Sequence, residues 1–277
     1  MNLDNVNFAQ ELYLALKKWE TEFPDIVKDV QDFIGFEQQK INLIIDHKTV
    51  ISPALKTKIK KFLSDYLEGV PFEYITNVSN FYGLSLYVDN NVLIPRPETE
   101  LIIDAVRSIA SHGFCKIADI GTGSGCIAIA LSISLPKAKV IAVDNSSNAI
   151  EVAKKNIQNC KALNVTALMS SFMDTFQENS LDIIVSNPPY IDPLDLHLDN
   201  LNFEPLSALT SHDKGFHHIK KIFLQSKQTL KNGGFLIIEH GYNQALEVNR
   251  ISQRNGFQLV KNIKDYQGID RIHVCKK

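Results

Sequence analysis

The sequence predicts an α/β fold: a doubly wound, mainly parallel sheet with an antiparallel C-terminal edge, preceded by a small helical bundle. From residue 115 onward, apolar runs of strand length alternate with helix-patterned segments, which is typical of a parallel sheet covered by helices. Residues 257–277 instead contain two strand-like runs joined by a short turn, as expected of an antiparallel edge. The first seventy residues have helical periodicity only. Together these patterns describe a Rossmann-like domain behind a helical bundle.

The composition sets limits on the class of protein. The chain has 277 residues, which is long enough for more than one domain. With 44% hydrophobic and 22% charged residues, it can bury a sizeable core. A net charge of −2 argues against a protein that binds nucleic acid mainly through its phosphates. The opening MNLDNVNFAQ does not resemble a signal peptide, and no apolar run approaches about 18 residues. The four cysteines lack CxxC pairing. We therefore expect a soluble cytoplasmic protein with no metal.

The predicted N-terminal domain covers residues 1–70 and contains three helices. Pro24 ends the first apolar stripe, Ser52 and Pro53 provide an N-cap and first-turn residue for the third helix, and Gly69 closes it. The apolar residues of the stripes recur at three- and four-residue steps: Phe8, Leu12, Ala15, Leu16, Trp19, Ile26, Val30, Phe33, Ile34, Leu55, Ile59, Phe62, Leu63, Tyr66 and Leu67. We interpret these stripes as the core of a small bundle.

A linker is predicted over residues 71–95. The stretch 72–94 is rich in Tyr, Phe and Val, with turn signals at Tyr82-Gly83 and at residues 89–91. This pattern predicts an extended hairpin between the two domains. The second domain is then expected over residues 96–277. It begins with a helix, because Pro97-Glu98-Thr99-Glu100 places a proline and acids in a first turn.

The second domain alternates strands with helices. Buried strands are predicted in the segments KIADIG, KVIAVD, LDIIVSN and GFLIIEH. Helices are predicted between them in GCIAIALSISL, SNAIEVAKKNIQ and HHIKKIFLQSKQTL. Within the last of these, His217 and His218 lie in a polar stretch, and we expect both at the surface.

A glycine-rich loop follows the first of these strands and opens a helix. Its residues are Gly121, Thr122, Gly123, Ser124 and Gly125. Glycines there allow a tight turn and a close approach to a ligand at a helix N-terminus. The next strand ends in Asp144, which is placed to bind two ribose hydroxyls; locally, a helix N-cap is an equally good role for it. Because NAD and flavin folds use similar loops, although with GxGxxG spacing, the loop and acid indicate only a nucleoside cofactor.

Asn187, Pro188, Pro189 and Tyr190 directly follow the strand LDIIV. The two prolines remove two N–H donors and leave carbonyls that only accept, and Asn187 adds an acceptor oxygen. Tyr190 offers a flat face for a planar group. A cluster of acceptors suits an NH2 group, and it can orient the nitrogen lone pair toward an electrophile without a strong base.

GTGSG, the acid in VDNS and NPPY resemble the class I S-adenosylmethionine-dependent methyltransferases that act on amino groups. Four further motifs narrow the resemblance to the peptide chain release factor N(5)-glutamine methyltransferase family: VLIPRPETE with the preceding FEYITNVSNFYGLSLYVDNN, then FEP, the following LSAL, and Asp270-Arg271. The resemblance covers about residues 71–277. Over the first seventy residues it extends only to length and helical character.

The resemblance implies S-adenosyl-L-methionine as cofactor and the glutamine of the GGQ motif in class I peptide chain release factors as substrate. It implies that residues 121–125 wrap the methionine part of the cofactor, that Asp144 holds the ribose, and that Phe172 lies beside the adenine. Phe172 stands where the family has Trp, and Ser171 where Asp is common. Asn187 and Pro188 would bind the substrate NH2, and Tyr190, packed on the amide plane, would form the catalytic group with them. Pro189 would complete the substrate site, and Asn187 would also reach the cofactor.

Two other functions fit parts of the sequence. A nucleic-acid exocyclic-amine methyltransferase would stack adenine or guanine on Tyr190. A binding module could retain the cofactor fold without catalysis, but the complete NPPY and GTGSG argue against it. We expect a monomer whose helical domain docks the release factor, with no membrane and no direct nucleic-acid partner. No chemical role follows for Arg96 or Glu98.

Overall fold

The computed structural model describes residues 3–38, 51–110, 113 and 115–277. The chain divides into two compact units, Met1–Thr76 and Asn77–Lys277. Each unit has its own hydrophobic core.

The first unit is helical. Its helices are α1 Leu3–Trp19, α2 Ile26–Glu37, α3 Pro53–Leu67 and the short α4 Phe72–Thr76. The predicted cap of α3 is present, since the Leu55 N–H donates to Ser52 Oγ at 3.2 Å. At the centre of the unit, the Phe33 and Phe62 rings stack with centroids 4.5 Å apart. The predicted stripes of the three long helices therefore form one core, except that Ala15 is not part of it and Leu67 is exposed.

The predicted hairpin belongs to the second unit. Its strands are β1 Val78–Phe81 and β2 Leu84–Tyr87. Tyr82 and Gly83 both have positive φ, 50° and 74°, as a two-residue hairpin turn of the primed type requires. The buried Asn156 side chain accepts from the Tyr87 N–H at 2.7 Å and donates to its carbonyl at 2.8 Å. The sequence predicts a linker over residues 71–95, whereas here a helix and a docked hairpin occupy most of that stretch.

Seven strands form the central sheet. They are β3 Lys116–Ile120, β4 Lys139–Asp144, β5 Val165–Met169, β6 Leu181–Ser186, β7 Leu230–Glu239, β8 Gln258–Lys264 and β9 Asp270–Lys276. Their order is β5-β4-β3-β6-β7-β9-β8, with β3 to β7 parallel and β9 antiparallel to both neighbours. This confirms the predicted sheet. β5 was not predicted, because this short edge strand is only partly buried and its apolar pattern is weak.

Helices cover both faces of the sheet. On one face lie α5 Glu100–Ile109, α6 Cys126–Ser134 and α7 Ser147–Asn159; on the other lie α9 His217–Thr229 and α10 Ala245–Arg254, with the short α8 Leu206–Leu209 before them in the chain. Helix α10 was not predicted, since its polar sequence buries only a narrow stripe. None of the helices in the described part of the chain combines the length and hydrophobicity that a membrane crossing requires.

The chain order reverses between β3 and β6, which are neighbours in the sheet. In open α/β sheets, ligands bind in the crevice beyond the carboxyl ends of the strands at such a reversal. The fold therefore places the loops after β3, β4 and β6 around one crevice.

Candidate active site

A cavity of about 350 Å³ opens at the carboxyl ends of β3, β4 and β6. Most of the predicted site residues line it: Gly121, Thr122, Gly123, Ser124, Asp144, Phe172, Asn187, Pro188 and Pro189. Gly125 and Tyr190 are not part of this lining. We call the wall of Gly121–Ser124, Asp144 and Phe172 the cofactor end, and the wall around Asn187 the chemical end.

Two glycines of the loop expose backbone to the cavity, and the third packs a helix. Gly121 and Gly123 have φ of +73° and +54°, and a Cβ on either would meet nothing within 4 Å. Gly125, at +83°, differs: a Cβ there would lie 3.2 Å from Ile129 Cδ1 and 3.4 Å from Ala153 Cβ. Gly125 therefore allows close packing of α6 on α7, while Gly121 and Gly123 leave room for a ligand.

Asp144 is fixed by backbone donors. Its Oδ2 accepts from the Gly123 N–H at 3.0 Å and its Oδ1 from the Ser146 N–H at 2.9 Å. The cap of α7 is Ser146, whose Oγ accepts from the Ala149 N–H, so the N-cap alternative for Asp144 is wrong. Burial raises the pKa of Asp144, and the N–H groups of Ser146 and Gly123 partly offset that rise. Each carboxylate oxygen retains a lone pair for a further donor.

Among the described residues, two buried hydroxyls of the cavity lining, Ser124 Oγ and Ser170 Oγ, have no hydrogen-bond partner. Buried polar atoms are rarely left unpaired, because each costs the free energy of its lost hydration. A ligand with polar groups at both places would satisfy them. Beside Ser170, Phe172 adopts φ of 50°, which is unusual for a bulky residue, and presents its aromatic ring to the cavity.

One of the two histidines predicted at the surface lines the cavity. His217 is exposed, but His218 is half-buried and its ring centroid lies 5.5 Å from that of Phe172. Ser211 Oγ accepts from the His218 N–H at 3.1 Å and lies 2.7 Å from its Nδ1. Burial lowers the pKa of His218, and His217 and His212 lower it further. The surface prediction was wrong for His218 because successive helix positions face about 100° apart.

The chemical end contains a chain of side-chain hydrogen bonds. Asn187 Nδ2 donates to Thr99 Oγ1 at 3.0 Å, and the Thr99 hydroxyl donates to Glu239 Oε2 at 2.7 Å. The Tyr190 hydroxyl donates to Glu239 Oε1 at 3.1 Å. Thr99 and Glu239 are only 2% and 1% exposed. The sequence gives no role to either, although an acid inside an apolar strand such as GFLIIEH signals a carboxylate that needs buried partners.

Burial controls the protonation of this cluster. It raises the pKa of Glu239 to about 7, while the hydroxyls of Thr99 and Tyr190 and the charge of Arg271 act in the opposite direction. Burial and the neighbouring Glu239 also raise the pKa of Tyr190, so its phenol stays protonated. The Tyr190 ring packs against the core cluster around α9. A stacking role for that ring stays a prediction.

An ion pair joins two motifs that are remote in the sequence. The Arg96 guanidinium, which lines the cavity, pairs with the buried Glu204 carboxylate. The second oxygen of Glu204 accepts from the Ile94 N–H at 3.0 Å. The PRPETE and FEP segments are thus tied together at the cavity rim, which gives Arg96 a structural role that the sequence alone does not supply.

The described residues contain no group of three or more His, Cys, Asp or Glu side chains arranged to hold a metal ion. The titratable groups of the cavity include Asp144, His212 and His218. The lining thus combines backbone and hydroxyl groups with the side chains of Arg96, Asp144, His212 and His218.

Residues 98–202 match the family described as "Methyltransferase small domain". Proteins named "Release factor glutamine methyltransferase" are similar over most of the chain. That of Neisseria gonorrhoeae is 37% identical, covering 87% of this chain and 89% of its own. That of Escherichia coli is 37% identical, covering 74% and 75%, and that of Buchnera aphidicola 33%, covering 100% and 94%.

Among solved structures, a methyltransferase from Pyrococcus furiosus superposes with a TM-score of 0.55 at 20% identity. The match covers 79% of this chain and 98% of that one. At this identity the likeness concerns the fold alone.

Proposed function

The chain belongs to the family of release factor glutamine methyltransferases, and we propose that it transfers a methyl group from S-adenosyl-L-methionine to the side-chain amide nitrogen of a glutamine in class I peptide chain release factors. We place that glutamine in their GGQ motif. The observation that carries the proposal is Asn187, which lines the cavity while its NH2 is bound to Thr99. Its amide oxygen is thereby left to accept from a substrate NH2.

The cofactor end fits S-adenosylmethionine. The open space over Gly121 and Gly123 admits a ligand against the backbone, and Asp144 has lone pairs for two ribose hydroxyls. The unpaired hydroxyls of Ser124 and Ser170 supply polar contacts that an apolar ligand would not use. Phe172 offers an aromatic face to the adenine. When bound, this cofactor supplies an electrophilic methyl group.

The chemical end acts by orientation. An amide nitrogen is a weak nucleophile because its lone pair is conjugated with the carbonyl. Asn187 Oδ1 and the Pro188 carbonyl would each accept one N–H of the glutamine and hold the nitrogen toward the methyl group. The nearby Glu239 carboxylate already accepts from Thr99 and Tyr190, so it is not placed as a general base. We assign catalysis to Asn187 and Pro188, with Pro189 stiffening the turn.

Recognition of the release factor needs more surface than this pocket. The site contacts little beyond a planar amide, and glutamine is common in proteins. Binding energy from contacts remote from the reacting nitrogen can position it. We assign those contacts to the helical unit Met1–Thr76, which has a core of its own. A chain reduced to Asn77–Lys277 should then bind S-adenosylhomocysteine normally but methylate intact release factor far more slowly.

The test of the proposed function is methyl transfer by the full chain. Purified class I release factor is incubated with this protein and methyl-labelled S-adenosylmethionine, and its peptides are then analysed by mass spectrometry. We expect one labelled methyl group on the GGQ glutamine, and none on a release factor in which that glutamine is asparagine. Label on other residues, or no label, would contradict the proposal.

The nucleic-acid alternative is not favoured, since the relatives are named for release factor glutamine and the net charge is −2. Incubation of the same enzyme with labelled cofactor and RNA or DNA checks it, with no transfer expected. We further propose that the enzyme acts as a cytoplasmic monomer without direct nucleic-acid contacts.

A further inference from the structure

The side chain of Asn187 is held from behind by residues that are distant in sequence. Asn187 follows β6, Thr99 immediately precedes α5 without a capping hydrogen bond from its side chain, and Glu239 ends β7. The contacts Asn187–Thr99 and Thr99–Glu239 join positions 88 and 140 residues apart. Thr99 and Glu239 are almost fully buried, so water does not replace either partner.

Each hydrogen bond in this chain has a defined donor and a defined acceptor. When Glu239 is ionised its carboxylate has no proton to give, so the single hydroxyl proton of Thr99 goes to Glu239. The Thr99 oxygen can then only accept from its second neighbour, and Asn187 Nδ2 is the donor that it meets. A turn of the Asn187 amide by 180° would oppose its carbonyl oxygen to an oxygen with no free proton.

The orientation of this amide decides which end meets the substrate. The two ends of an asparagine amide have nearly the same shape, and only the oxygen accepts a hydrogen bond. With the amide reversed, the Asn187 NH2 would face the NH2 of the glutamine, donor against donor. An asparagine without a fixed orientation would therefore spend part of its time in an unproductive state.

We propose that Thr99 and Glu239 are positioning residues that keep the Asn187 amide oxygen turned toward the NH2 of the substrate glutamine. The inference rests on the proposed function. The same carboxylate accepts from the Tyr190 hydroxyl, so one buried acid fixes both polar side chains of the NPPY segment, Tyr190 directly and Asn187 through Thr99. Neither residue touches substrate in this assignment; each acts through Asn187 or Tyr190.

A pair of Thr99 variants separates the hydroxyl from the side-chain volume. Thr99→Val keeps the shape and removes the hydroxyl, whereas Thr99→Ser keeps the hydroxyl. We expect Thr99→Val to lower kcat for release factor methylation about 10–100-fold. Its KM for release factor and its affinity for S-adenosylhomocysteine, measured by calorimetry, should stay near the wild-type values. Thr99→Ser should retain most of the wild-type kcat.

A Glu239 variant reverses the direction of the hydrogen bonds. In Glu239→Gln the new NH2 can donate to the Thr99 oxygen, which frees the Thr99 proton to point at Asn187 and favours the reversed amide. We expect a fall in kcat similar to that of Thr99→Val. The matched control is Glu151→Gln on the exposed face of α7, which should leave kcat unchanged. If Thr99→Val does not fold, Glu239→Gln decides the question.

A second readout does not depend on activity. In nuclear magnetic resonance spectra of the full chain, the Asn187 side-chain NH2 should exchange slowly in the wild type and in Thr99→Ser, and quickly in Thr99→Val. Wild-type kcat together with unchanged exchange in Thr99→Val would overturn the positioning role. Slow exchange that depends on Thr99, in a wild-type protein that fails to methylate release factor, would instead retain the positioning of Asn187 and reject the proposed function.

Discussion

The two ends of the cavity are built in different ways. At the cofactor end, the lining combines glycine backbone, two serine hydroxyls and one carboxylate, and Asp144 is held by the N–H groups of Gly123 and Ser146. At the chemical end, Asn187 is held by Thr99, and Thr99 by Glu239, through side chains from separate segments. The cofactor end thus depends on backbone contacts between the loops of neighbouring strands, whereas the chemical end depends on side-chain contacts between segments 88 and 140 positions apart. Changes at the first should alter binding, and changes at the second should alter turnover.

The largest effect is expected from Asn187→Ala, which removes an oriented acceptor from the chemical end. Loss of one such group lowers kcat by about 10²–10³. Affinity for S-adenosylhomocysteine should fall much less than kcat, because the acceptor that is lost faces the substrate NH2 in the proposed function. Steady-state kinetics and calorimetry measure the two quantities. Asn148→Ala, at an exposed position of α7, is the control. Equal losses in kcat and cofactor affinity would remove the distinction between the two ends.

Asp144→Ala tests the cofactor end. A buried ribose that loses its charged acceptor should bind more weakly by about 1–3 kcal/mol. We expect calorimetry with S-adenosylhomocysteine to show that loss, while kcat at saturating S-adenosylmethionine stays close to the wild-type value. Undiminished affinity would show that Asp144 does not hold the ribose. Tight binding of NAD by the wild type would contradict the cofactor assignment itself.

The glycines divide the cofactor end further. Gly125→Ala places a Cβ against Ile129 and Ala153 at a positive φ, whereas Gly121→Ala carries only the cost of its φ. A left-handed conformation costs a non-glycine residue about 1–2 kcal/mol. We expect thermal unfolding to show a larger loss of stability for Gly125→Ala. Gly121→Ala should show the larger loss of cofactor affinity, since its Cβ points into open space. The reverse pattern would exchange the two roles.

The smallest effect is a pH dependence that belongs to the chemical end. Burial raises the pKa of Glu239 from 4.5 to about 7, so its carboxyl binds a proton more tightly in the folded chain than in the unfolded one. As pH rises through that interval, the Glu239 contribution to stability falls. Turnover should rise instead, because only the ionised carboxylate accepts from both Thr99 and Tyr190.

The charged residues Arg271 and Glu98 act on this group and set where the transition falls. Asp119, buried beneath the glycine loop, also has its pKa raised to about 7. The pH dependence of kcat is therefore measured for the wild type and for Glu239→Gln, both at saturating cofactor, and the two profiles are compared. We expect kcat of the wild type to increase about tenfold from pH 6 to pH 8 relative to the variant. Parallel profiles would exclude Glu239 as the titrating group.

The sequence predicts the local parts of this molecule well. The parallel sheet, its antiparallel edge and the three long N-terminal helices follow from periodicity and turn residues. The glycine loop and the NPPY segment are each a continuous stretch of sequence, so the chemistry of each can be predicted from the sequence alone. The structure brings most of their residues to one cavity. Thr99 and Glu239, which belong to the chemical end but lie outside both motifs, are harder to predict from the sequence.

Thr99 also fits plain helix initiation, and Glu239 is one acid in an apolar strand. Neither residue carries in its own segment any sign of its partner. His218 differs from its exposed neighbour His217 only by the direction that the helix gives it. The sequence of the hairpin is typical of a linker, but in the structure Asn156 of α7, 69 positions away, binds Tyr87 and holds the hairpin against that helix. In each case the missing information is a contact between distant segments.

The most direct test of the account is a crystal structure of the full chain with S-adenosylhomocysteine and a glutamine-bearing release factor substrate. We expect the glutamine NH2 to donate to Asn187 Oδ1 and to the Pro188 carbonyl, each at about 2.9 Å, while Asn187 Nδ2 remains bound to Thr99. A glutamine nitrogen bound by other groups, or an Asn187 amide with its nitrogen toward the substrate, would contradict it.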